Sequence, residues 1–73
     1  MLDFTKEYTE NGMTFDIPDI MEATARMAKS GTCRTFDEWT AICYLSGYCP
    51  NLPVNIAFEV VFELRNRGII ECG

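Results

Sequence analysis

Residues 6–17 read Lys6-Glu7-Tyr8-Thr9-Glu10-Asn11-Gly12-Met13-Thr14-Phe15-Asp16-Ile17, two short runs of alternating residues on either side of Asn-Gly. That dipeptide accepts positive φ at two successive positions, which a two-residue type I′ turn requires. A two-residue loop also sets the register, placing Glu10 opposite Met13, Thr9 opposite Thr14, Tyr8 opposite Phe15 and Glu7 opposite Asp16. Tyr8, Met13, Phe15 and Ile17 then share one face, which is expected to cover the helices, and the hairpin spans about residues 4–17.

Outward from the hairpin the period changes from two to that of a helix. Pro18 suits a first helical turn, and Ile20, Met21, Thr24, Met27 and Ala28 fall on one side with Glu22, Arg26 and Lys29 opposite, so a helix is expected over about 18–30, stopped by Gly31. Thr35-Phe36-Asp37-Glu38 reads as a capping box, with Thr35 and Glu38 each satisfying a backbone N–H of the other. It opens a second helix over about 36–46 with an inner stripe of Phe36, Trp39, Ile42, Cys43 and Ser46, ending near Gly47. Pro50 and Pro53 keep residues 48–53 irregular. Pro53 then starts a third helix over about 53–67, which Gly68 ends before the apolar pair Ile69-Ile70, expected to form a short terminal strand. The fold class expected is α+β, a hairpin packed on three helices in a single domain covering residues 1–73.

A chain of 73 residues has room for one core, and a hydrophobic fraction of 48% is enough to form it without a dense disulfide framework. The net charge of −5 is unevenly placed. Residues 1–22 carry the acids Asp3, Glu7, Glu10, Asp16, Asp19 and Glu22 against Lys6 alone, while from residue 23 onward five acids balance five bases. No run approaches the roughly 18 apolar residues of a membrane span, and Met1 to Glu10 is acidic where a signal peptide is basic and then apolar. A cytoplasmic, reducing location is therefore expected, with Cys33, Cys43, Cys49 and Cys72 kept as thiols and, by default, buried and inert.

The chain has no histidine, which removes the commonest general acid/base and the commonest metal ligand. Asp37-Glu38 is an acidic pair that a capping box and a helix's first turn explain. The cysteines form no Cys-x-x-Cys pair of the kind structural zinc uses, and no glycine-rich phosphate loop is present. Cys33, beside Arg34 and before a helix, is the one candidate for an activated thiol, against the plainer reading of a structural one. No enzyme activity and no cofactor are expected.

Binding surfaces are better motivated. On the third helix Ala57, Val60, Val61 and Leu64 make the natural core stripe, yet Phe58 and Phe62 lie to one side of it and Ile56 to the other. Either the helix is buried on most sides, or Phe58 and Phe62 form a patch for a partner, with Tyr44 and Tyr48 comparably placed. Glu7 opposite Asp16 is a like-charge pair that breaks a local rule of sheet pairing. With Asp3, Asp19 and Glu22 nearby, it suggests an anionic surface for a basic partner, the alternative being a solvated acidic face.

From Thr35 to Cys72 the chain resembles a helix-turn-helix followed by the start of a wing, because Leu64-Arg65-Asn66-Arg67-Gly68-Ile69-Ile70-Glu71 is similar to the end of many winged-helix recognition helices. That resemblance implies a DNA-binding regulator with Arg65 and Arg67 as its cations. The charge departs from it, since Asn55, Glu59, Glu63 and Asn66 would turn two carboxylates toward phosphates. In size, acidity, cysteine and methionine content, the chain also resembles the small phage proteins that bind bacterial RNA polymerase and block initiation or cause antitermination. Inhibitors of other nucleic-acid enzymes, anti-CRISPR proteins among them, share that appearance. This second resemblance implies a protein partner, with bacterial RNA polymerase as the first choice, and no membrane; it transfers no functional residue. The residues expected to meet a partner are Glu7, Asp16, Asp19, Phe58, Phe62, Arg65 and Arg67.

Overall fold

The computed structural model describes residues 2–31 and 35–70. It is an α+β fold: strands β1 (Glu7–Glu10) and β2 (Met13–Asp16) form an antiparallel hairpin, followed by helices α1 (Ile17–Lys29), α2 (Glu38–Tyr48) and α3 (Val54–Asn66). Cys33, Arg34, Glu71 and Cys72, and with them the expectation of an activated Cys33, lie outside the described residues.

The hairpin has the register that its Asn-Gly turn dictates, from Glu7↔Asp16 to Glu10↔Met13. Asn11 and Gly12 sit at φ 54° and 77°, both in the left-handed region that a type I′ turn needs. Phe15 and Ile17 enter the core, at 6% and 0% exposure, and Tyr8 is half-buried. Met13 does not join them. It lies in the rung next to the turn, opposite Glu10, and is exposed.

Asp16 ends the strand and begins α1. Its Oδ1 accepts a hydrogen bond from the Asp19 backbone N–H at 3.1 Å, so it is the N-cap, with Pro18 just inside the first turn. No spacer separates hairpin from helix. The like-charge pair Glu7↔Asp16 thereby has a structural origin, because the carboxylate that faces Glu7 across the ladder is the one α1 requires at its start. Thr24, fully buried in α1, avoids an orphaned hydroxyl by donating to the Ile20 carbonyl at 2.8 Å.

α2 departs from expectation at its start, and the change turns its faces. Asp37, not Thr35, is the N-cap: both the backbone N–H and the hydroxyl of Thr40 donate to Asp37 Oδ1 at 2.9 Å. This choice places buried Phe36 and Ala41 at the two positions of a hydrophobic staple, which fixes how the chain enters the helix. Ala41 and Leu45 then face the core, Ile42 and Tyr44 are half-buried, and three members of the expected stripe, Trp39, Cys43 and Ser46, are not in the core. The expectation of buried thiols is corrected with them, since Cys43 is exposed and Cys49 half-buried. The helix also runs through Gly47 to Tyr48.

α3 is the central element. Ile56, Ala57, Val60, Val61 and Leu64 are all buried, five of the fifteen apolar core residues among those described. It stops in a Schellman motif: Ile69 N–H donates to the Leu64 carbonyl at 3.0 Å and Gly68 N–H to that of Arg65 at 2.9 Å, with Gly68 at φ 75°. Ile69 and Ile70 are not in a strand for this reason, and residues 71–73, the rest of the terminal segment, lie outside the described residues. Ile69 spends its N–H on the helix end, and Ile70 turns inward as a buried core residue; the sheet has two strands among the described residues.

Candidate functional site

At 100° per residue, the buried residues of α3 occupy an arc of roughly 140°, and Phe58 and Phe62 fall beyond its edge. They stay on the surface, 39% and 43% exposed, one helical turn apart, with ring centroids 5.9 Å from each other. Across from them, α2 presents Trp39, 73% exposed, and Ile42 one turn further on. Together with Asp37 and Glu38 these side chains line an open cleft of about 330 Å³.

Polar groups at one end hold the cleft in shape. Arg65 Nη1 donates to Glu38 Oε2 at 3.0 Å, tying α3 to α2, and its guanidinium carbon lies 5.3 Å from the centre of the Phe62 ring. The cation is thus held by a carboxylate and an aromatic face at once. The partly exposed ion pair contributes on the order of 0–1 kcal/mol, so its role is to fix geometry more than to stabilise the fold.

Hydrogen bonds from the Thr40 backbone N–H, and next from the Thr40 hydroxyl, hold the Asp37 carboxyl below the ordinary aspartate value of 3.8. A lowered value means that folding favours the carboxylate. Its contribution is therefore complete above the unfolded-state value and is lost as pH falls through the lower folded-state value. Asp37→Asn keeps a cap acceptor and removes the charge. The stability gap between wild type and this variant, taken from urea midpoints between pH 7 and pH 2.5, is expected to close below about pH 4. A gap that stays constant with pH would contradict the charged cap.

The remaining residues expected to meet a partner fall elsewhere. Glu7, Asp16 and Asp19 lie on the hairpin and the first turn of α1, separate from the aromatic cleft. Asp19 is engaged: Tyr48 Oη donates to its Oδ2 at 3.0 Å, and that bond, followed by burial, raises the tyrosine above its ordinary value. Tyr48 in turn stacks on Tyr44 at 5.5 Å, and the two line a second groove with Arg26 and Met27 of α1. Arg67 does not join Arg65, because its Nε donates to Glu63 Oε2 at 2.8 Å on a different flank of α3.

Trp39 is the residue that sequence reasoning put on the wrong side. The signal that would have placed it is the competition between Thr35 and Asp37 for the cap, which decides the rotation of α2. Among the described residues no group of three or more His, Cys, Asp or Glu side chains gathers for a metal ion, and no helix is long and apolar enough to cross a membrane. No family model, no curated protein and no solved structure matches the chain.

Proposed function

We propose that the chain is a non-enzymatic regulator that docks on a protein partner through the cleft between α2 and α3. The observation that carries this reading is Trp39, which is 73% exposed beside two further exposed aromatics. Tryptophan is the side chain most enriched where interfaces concentrate their binding energy, and a contiguous aromatic patch on a small domain marks a surface built to be covered.

The partner proposed is bacterial RNA polymerase, with the chain acting as a phage-type modulator of transcription. Support comes from its small size, its acidity and the absence of histidine. The alternative of a winged-helix DNA binder loses its cations to internal pairing, since Arg65 and Arg67 each sit on a carboxylate. Purified polymerase passed over the immobilised chain is expected to bind, and to stop binding when Trp39 and Phe62 are both alanine. Polymerase that fails to bind overturns the choice of partner; a low-salt shift of duplex DNA by the chain alone, lost in Arg65→Ala with Arg67→Ala, would favour the DNA reading.

The acidic end is assigned to steering. Charges outside a contact set the association rate and its salt dependence more than they set affinity. Glu7→Lys is expected to slow association and flatten its salt dependence. The same change converts a like-charge cross-strand pair into an attractive one, so the hairpin should gain on the order of 0.2–1 kcal/mol. An unchanged association rate at low salt would remove the steering role, while the thermal midpoint checks the hairpin separately.

A further inference from the structure

Beside Phe62 the protein binds a guanidinium of its own. Arg65 lies over the Phe62 ring at 5.3 Å and reaches the Glu38 carboxylate at 3.0 Å. Around Trp39 the same two ingredients, an aromatic face and a carboxylate, recur. The indole is 73% exposed, and Asp37 lines the same cleft. Both Thr40 donors converge on Asp37 Oδ1, and a carboxylate, with about four acceptor sites over its two oxygens, has capacity for a further donor. Tryptophan is the strongest of the aromatic cation acceptors, and a guanidinium can stack on a ring while it bonds a carboxylate in its own plane. An ammonium has no plane with which to do both.

We propose that the cleft receives an arginine of the partner, its guanidinium stacked on Trp39 and bonded to Asp37, with flanking apolar side chains lying on Ile42, Phe58 and Phe62. This rests on the docking reading above and names the chemistry of the segment that docks. Charge decides between occupants. The cleft is lined by two carboxylates, Asp37 and Glu38, of which Glu38 is already paired with Arg65, so a second copy brings like carboxylates to this face whereas a cationic segment is drawn to Asp37.

Trp39 is the chain's single tryptophan, so its indole N–H resonance reports on the cleft without ambiguity. The full chain, labelled with ¹⁵N, would be titrated with acetyl-Leu-Arg-Leu-amide and with the same tripeptide bearing citrulline, a neutral isostere of arginine. The arginine peptide is expected to shift the Trp39 indole and to bind roughly threefold or more tighter than the citrulline peptide. That preference should vanish in Asp37→Asn, which retains the helix cap, and shrink at high salt. Equal affinity for the two peptides, or no indole shift with either, overturns the arginine assignment. Neither result touches the docking reading, which stands or falls on whether Trp39→Ala with Phe62→Ala abolishes binding of the intact partner. Sedimentation showing a wild-type dimer that Trp39→Ala dissociates would instead assign the cleft to a second copy and overturn the proposal.

Discussion

Leu64→Ala is expected to cost roughly 3–5 kcal/mol and to leave much of the chain unfolded at 37 °C. Leu64 is 1% exposed on the central helix, and its carbonyl receives the Ile69 N–H that closes the Schellman motif. Replacing its isobutyl group by methyl opens a cavity where α3 meets α1 and the turn that follows α3. A domain of 73 residues has a total stability on the order of 4–11 kcal/mol, so this single truncation removes a large fraction of it. Urea denaturation followed by circular dichroism measures the change. Phe62→Ala, two positions away on the same helix, is the control. Its ring is 43% exposed, and it should change stability by less than about 1 kcal/mol. Similar losses for the two variants would mean that the buried arc of α3 has been misplaced.

The second large effect concerns binding. Trp39→Ala combined with Phe62→Ala is expected to weaken the partner complex by about 2–4 kcal/mol, or about 30- to 1,000-fold in affinity. Trp39 and Phe62 belong to facing helices and reach one cleft, so their losses are not expected to add independently. Neither ring is buried in the free chain, and the thermal midpoint of the double variant should stay near that of wild type. An affinity unchanged by both substitutions would leave the cleft without a role in docking. A fall in affinity accompanied by an equal fall in stability would point to the fold.

The hairpin was legible because two independent signals agreed, the positive φ demanded by Asn11-Gly12 and an alternation that a one-residue slip would reverse. α1 and α3 were legible because their apolar residues form a stripe with polar residues opposite. α2 was not. It is apolar nearly all round, so periodicity could not choose between the side of Ala41 and Leu45 and the side of Trp39 and Cys43. The cap chose instead: the capping box read at Thr35 implied one rotation, and the Asp37 cap found in the structure starts the helix two residues later. Half of the candidate cleft could therefore be read from sequence, in Phe58 and Phe62, and the half supplied by α2 could not. Ile69 itself was misjudged for a different reason: Gly68 was recognised as a stop, but a Schellman ending also claims the next N–H, so residue 69 still belongs to the helix end.

An isolated two-stranded hairpin is at best marginally stable in water. Here its last rung includes Asp16, which caps the adjoining helix, and the next residue, Ile17, is sealed from solvent at 0% exposure. Peeling the ribbon away would uncap α1 and draw a plug out of the interior in one motion, so the junction behaves as a locked elbow. Amide protons of the ladder should then exchange only when the whole molecule opens, and the carboxylates at this elbow, Glu7, Asp16 and Asp19, keep a constant bearing on the aromatic cleft while the native state lasts.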